Sequence, residues 1–122
     1  MNSTNLKART FEFSRRIVRL YASLPSKTLP QTLGRQILRS GTSVGANFRE
    51  ACRSRSKNEF RAKLGECLRE LDETHFWLEL MEAETVVKPS RLQNLLQETN
   101  ELIAIFVASL KTSEPREPMS GS

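Results

Sequence analysis

The sequence predicts an all-α protein, an antiparallel up-down four-helix bundle, and three observations carry that expectation. Apolar residues recur with the 3.6-residue period of a helix face through four long segments, and no segment shows the alternation of a strand. Proline and Ser-x-x-Glu/Gln signals fall between those segments and leave short connections, which favour antiparallel neighbours. A length of 122 residues with 38% hydrophobic content suits one packed domain that needs neither disulfides nor a metal.

The first helix is expected from about Leu6 to Leu24, with Phe13, Ile17, Leu20, Tyr21 and Leu24 on one side and Arg15, Arg16 and Arg19 turned away. Pro25 closes it. The second enters through Thr28, Leu29 and Pro30, because a first-turn residue has no helical acceptor for its N–H and proline loses nothing there. Leu33, Ile37, Val44, Phe48 and Ala51 line its inner face, and it should end near Arg55. Ser56-Lys57-Asn58-Glu59 reads as a capping box that starts the third helix at about Lys57, with a stripe of Phe60, Leu64, Cys67, Leu68, Leu71 and Leu78. Lys88-Pro89 breaks the pattern, and Ser90-Arg91-Leu92-Gln93 reads as a second capping box. The fourth helix then runs from Arg91 to about Lys111, with Leu92, Leu95, Leu96, Ile103, Phe106, Val107 and Leu110 inside. Residues 1–112 form the bundle, and 113–122, with two prolines, a glycine and Met119 as the only apolar residue, are expected to be a disordered tail.

Two apolar groups exceed what one bundle needs. Phe76, Trp77, Leu80 and Met81 project away from the third-helix stripe, and Leu102 and Ile105 leave that of the fourth. Patches of this kind mark subunit contacts or, alternatively, a wide core face in a slightly irregular bundle, and a homo-oligomer is the expected reading.

The net charge of +5 favours an anionic partner, with RNA or DNA the commonest and an anionic membrane or an acidic protein also sufficient. The charge is concentrated: between residues 27 and 57, Lys27, Arg35, Arg39, Arg49, Arg53, Arg55 and Lys57 face the single acid Glu50. Of these, Arg35, Arg39, Arg49, Arg53 and Lys57 project within about 80° of one another and span roughly 33 Å of helix, a track for phosphates. The competing reading is a solvated face, or one neutralised by the third helix, where eight acids from Glu59 to Glu84 outnumber Arg61, Lys63 and Arg69. A scaffold whose basic face docks an acidic protein partner is the corresponding alternative function.

Gly41 and Gly45, four apart and among Thr42, Ser43 and Ala46, allow a neighbouring helix to approach closely. Asn47 and Glu50 fall at the edges of the inner face, where structural hydrogen bonding is the default for buried polar groups. Asp72-x-x-His75 with Glu79 invites comparison with carboxylate-bridged metal bundles, but those need a Glu-x-x-His from each of two helices and the chain has one histidine. No nucleophile has an evident base, so no catalytic residue, metal or cofactor is expected. Cys52 and Cys67 read as free thiols of a cytoplasmic protein; the first ten residues are too polar for a secretory signal, and no apolar run is long enough for a membrane span.

Gln36-Ile37-Leu38-Arg39-Ser40-Gly41-Thr42-Ser43-Val44-Gly45-Ala46-Asn47-Phe48-Arg49-Glu50-Ala51, followed by Arg55-Ser56-Lys57-Asn58-Glu59-Phe60, resembles a bacterial family. Its members are four-helix bundle proteins that include those encoded in intervening sequences of 23S ribosomal RNA genes. The family reads Arg-Ser-x-x-Ser-[Ile/Val]-x-x-Asn-x-x-Glu and opens a helix with Ser-x-x-Glu-Phe; the likeness runs from about Phe13 to Leu110. It implies an up-down bundle assembled as a ring-like pentamer, and no catalytic activity. Through a related member, the accessory protein of diversity-generating retroelements, it also implies association with nucleic acid. Where the family often has Asn-Ile-Ala-Glu-Gly, this chain has Asn47-Phe48-Arg49-Glu50-Ala51, and the added arginine strengthens the cationic face.

Overall fold

The computed structural model describes residues 3–113, with side chains from residue 5 onward; the expected tail beyond Ser113 lies outside the described residues. Four helices follow in order, α1 (Ser3–Ala22), α2 (Thr28–Cys52), α3 (Lys57–Ala83) and α4 (Gln93–Thr112), with a single 3-10 turn at Pro89–Arg91. No strand occurs among the described residues. Each helix packs on the next in sequence, α1 on α2, α2 on α3 and α3 on α4, while α1 and α4 meet lightly.

The helix ends follow local chemistry. Pro30 sits in the first turn of α2, and the preceding loop is tied by Gln31, which accepts from the Tyr21 hydroxyl at 2.7 Å and donates to the Pro25 carbonyl at 3.1 Å. Ser56 caps α3, its hydroxyl accepting the Glu59 N–H at 3.1 Å. The reciprocal half of the expected box is shifted by one residue, because the Glu59 carboxylate accepts from the Arg55 N–H at 3.4 Å. Helix α3 ends with Thr85 at φ 51°, where Thr85 and Val86 donate back to the carbonyls of Glu82 and Met81. The second expected capping box does not form: Pro89–Arg91 takes up a 3-10 turn, Leu92 is the residue before α4, and no side chain caps it. At its far end α4 is closed by Arg61 of α3, which donates to the Leu110 carbonyl at 2.6 Å and the Ser113 hydroxyl at 2.8 Å.

The core is one cluster drawn from all four helices, with Phe13, Ile17, Ile37, Val44, Phe48, Leu64, Leu71, Leu78 and Phe106 fully buried. Phe48 and Phe106 meet edge to face at 5.8 Å across the bundle. Two expectations about facing are corrected. In α4, Leu102 is fully buried while Val107 is 37% exposed, because the inward stripe is Leu95, Thr99, Leu102, Phe106. In α3, Met81 is 0% exposed, continuing the stripe Leu64, Cys67, Leu71, Thr74, Leu78 by a further three residues. The threonines fit because each hydroxyl bonds the carbonyl four residues back in its own helix, Thr74 to Glu70 and Thr99 to Leu95, both at 2.7 Å. Thr74 also lies 2.7 Å from the Ser40 hydroxyl of α2, a buried polar contact between helices.

Candidate nucleic-acid interface

With Leu33, Ile37, Ser40, Val44, Phe48 and Ala51 directed into the core, the opposite side of α2 must carry Arg35, Arg39, Arg49 and Arg53, and all four are exposed. Their environments differ. Arg39 leans toward α3, where it pairs with Glu70 at 3.3 Å and with Glu73. Arg49 leans toward α1, its guanidinium carbon 5.1 Å from the centre of the Phe11 ring. Arg35, Arg49 and Arg53 have no carboxylate within 4 Å among the described residues. Lys57 leaves the stripe, because α2 stops at Cys52 and the turn capped by Ser56 makes Lys57 the first residue of α3. There it borders an apolar crevice of about 510 Å³ at the end of the bundle, with Leu6, Phe48, Phe60 and Leu64. The structure therefore does not place the five cations on one continuous helical track.

Arg49 and Arg53 share a groove of about 490 Å³ between α1 and α2, bordered also by Phe11, Ser14, Thr42 and Glu50 and floored by Gly45 and Ala46. The groove exists because α1 and α2 come very close. A Cβ on Gly41 would stand 2.6 Å from Ile17 Cγ1, one on Gly45 would stand 2.8 Å from Ser14 Oγ, and the Ser14 hydroxyl donates to the Gly41 carbonyl at 3.1 Å. Gly34 is a third such point, facing Leu24 and Tyr21, which sequence reading missed because it lies outside the Gly41-Gly45 pair. Phe11 was missed as well. Its signal was its spacing with Val18, two large apolar residues seven apart on the side of α1 away from Phe13 and Ile17, 50% and 48% exposed.

The expected structural hydrogen bonding to neighbouring helices is found for Glu50 and not for Asn47. Asn47 makes no side-chain hydrogen bond to any described residue, and Glu50 is exposed, reached from α3 by Lys63 at 3.4 Å. Lys63 also bonds Glu66, and this hydrogen bond first, with the two carboxylate charges, raises its pKa. Arg9 is held more firmly: its guanidinium bonds both oxygens of Glu98 and one of Glu101, joining α1 to α4, and these bonds raise its pKa. Burial pushes the Cys67 thiol up to about 12, and it donates weakly to the Val44 carbonyl at 3.7 Å, whereas Cys52 is exposed. His75 stands 3.2 Å from Glu79 one turn on, and among the described residues no three His, Cys, Asp or Glu side chains gather to hold a metal ion.

Of the four residues expected at a subunit contact, Phe76 is 55% exposed, Trp77 and Leu80 are half-buried against the core, and Met81 is inside it. Phe76 meets Trp77 edge to face at 5.0 Å, and the Trp77 indole N–H has no partner among the described residues. No described helix is long and apolar enough to cross a membrane.

Fold and surface together define a helical bundle in which one helix, packed between two others, carries arginines on its outward face. The chain belongs to the 23S rRNA-intervening sequence protein family, whose profile matches residues 3–108. A solved relative is a protein of unknown function from the S23 ribosomal protein family of Bacteroides thetaiotaomicron VPI-5482. It is 33% identical, aligns over 91% of this chain and 99% of its own, and superposes with a TM-score of 0.83. No curated protein matches the chain.

Proposed function

We propose that the chain is a non-enzymatic accessory protein that binds RNA or DNA through the outer arginines of α2 and works as a cytoplasmic homo-oligomer, with a pentamer the leading stoichiometry. One observation carries the binding reading: Arg35 and Arg49 on α2 and Arg53 at its C-cap are exposed with no carboxylate partner among the described residues, in a chain of net charge +5. Arginine suits phosphate because its planar fork pairs two oxygens, and each neutralised phosphate releases condensed counterions. Nothing on the α2 surface is shaped for base-specific readout in a duplex groove, so binding should tolerate sequence and depend steeply on salt. Gel-shift titration with RNA and DNA should show affinity falling at least ~10-fold between about 50 and 200 mM salt. Replacing Arg35, Arg49 and Arg53 together by glutamine should weaken binding and flatten the slope while preserving helicity. A triple variant that binds like the parent would remove this reading.

The alternative, a scaffold for an acidic protein, draws on the pairing of Arg39 with Glu70 and Glu73, in which a cation of the same stripe takes carboxylates. Preference for an acidic protein over nucleic acid at matched salt would favour it. The oligomer is supported by Phe76, a large apolar side chain left 55% exposed on α3. Light scattering should find a species well above 13.9 kDa, and Phe76→Glu, outside the core, should lower its mass. A parent that scatters as a monomer at micromolar concentration would rule the assembly out.

A further inference from the structure

We infer that the groove between α1 and α2 is a base-stacking site for single-stranded nucleic acid, with the Phe11 ring and the Arg49 guanidinium as its platform. The inference rests on the nucleic-acid reading and adds to it a residue, a strand form and a mode of contact. Phe11 is half exposed, and Arg49 lies over its ring at 5.1 Å. That contact places the guanidinium over one face of the ring and leaves the other ring face and the far side of the guanidinium for a base, and unpaired bases stack on both kinds of plane. The small residues Gly45 and Ala46 keep the floor low beside the platform.

The platform lies between cations on both sides. A second depression of about 260 Å³ shares Phe11 and Ser14 with the first and continues along α1 to Arg15, Val18 and Arg19. At the other end Arg53 stands one helical turn, about 6 Å, beyond Arg49. Two acids lie nearby, one of them bordering the groove, and each is shared with a cation. Glu12 is shared by Arg15 and Arg19 at 3.1 and 3.4 Å, and Glu50 is engaged by Lys63. A polyanion with flat, unpaired bases satisfies the arginines and the phenyl face together. An acidic peptide would use the arginines and leave Phe11 idle, a duplex would keep its bases stacked within itself, and a second copy of the same basic face would meet like charge.

Fluorescence anisotropy with a labelled twelve-nucleotide single strand tests this on the full chain, beside a duplex of equal length and a strand whose central bases are replaced by abasic sites. Phe11→Ala should weaken single-strand binding at least about 5-fold and leave duplex binding unchanged, whereas Phe11→Trp should retain it. The parent should bind the abasic strand as weakly as the alanine variant binds the intact one. Phe11 is outside the core, so both variants should keep the parent's circular dichroism and melting temperature. The inference is overturned if Phe11→Ala binds the single strand like the parent, if the abasic strand binds as well as the intact one, or if polyglutamate of matched charge displaces the strand as effectively as unlabelled strand does. It is equally overturned if Phe11→Ala lowers the mass seen by light scattering, since the face would then be a subunit contact. Those results leave the arginine reading standing. Absence of binding to any nucleic acid by the parent would remove both.

Discussion

Along one flank, toward α1, helix α2 carries Gly34, Gly41 and Gly45 and lies almost against the side chains it faces. Along the other, toward α3, it carries Ser40 bonded to Thr74, the Val44 carbonyl beneath Cys67, and Arg39 among carboxylates. The first seam is held by close approach, the second by volume and by polar groups paired across it. The charges follow the same division. Helix α3 is rich in acids and takes up Arg39, whereas α1 presents Arg15, Arg16 and Arg19 and a half-exposed phenyl ring, so the cations on that side face solvent. One continuous arginine pattern in the sequence thus becomes an engaged portion and a free portion, and within the free portion Arg49 leans to the side built on glycine.

The largest break in this comparison should come from Gly41→Leu. Filling a site already within 2.9 Å of three Ile17 carbons should cost about 3 kcal/mol, measured by urea unfolding. Gly41→Ala should still cost about 1 kcal/mol despite alanine's better helix propensity, because Ile17 is branched at Cβ and gives way poorly. Equal stability of parent and Gly41→Ala would show the α1 seam to be loose. The converse is Gly65 on α3, where an added Cβ meets nothing within 4 Å, so Gly65→Ala should stabilise by about 0.8 to 1 kcal/mol. A loss of stability there would mean that a second chain covers this point. The smallest effect concerns the two portions of the stripe. Arg53→Gln should lower the salt slope of nucleic-acid binding by about 1, and Arg39→Gln, whose guanidinium is already engaged, should leave it within error. Equal changes at both positions would erase the distinction.

Much of the scaffold was legible because apolar period and punctuation agree. Phe13, Ile17, Ile37, Val44, Phe48, Leu64 and Leu71 are buried as their spacing requires, and Ser56 starts α3 where its motif places it. The misplacements share a cause. Thr74 and Thr99 occupy core positions while looking polar, so the stripe of each helix was phased on visible hydrocarbons, leaving Met81 and Leu102 outside and Val107 inside. A hydroxyl that bonds its own helix four residues back is quiet enough to bury, and composition gives no sign of it. The candidate site was legible as charge and not as partition. Helical spacing puts Arg39 and Arg49 on the same broad side, and only the positions of α1 and α3 decide that one meets Glu70 and Glu73 while the other meets Phe11. Ser90 failed as a cap because Pro89 drew the chain into a 3-10 turn instead.

The order of the seams also bears on how the chain acquires its shape. Each large interface joins helices adjacent in sequence, and helical bundles dominated by such local contacts fold in roughly microseconds to milliseconds. The exception is the light contact between α1 and α4, where Arg9 grips Glu98 and Glu101 across nearly the whole described chain. The loop that it closes, 92 residues from Arg9 to Glu101, is the longest bridged by any side-chain hydrogen bond among the described residues, so of those bonds it carries the largest closure entropy.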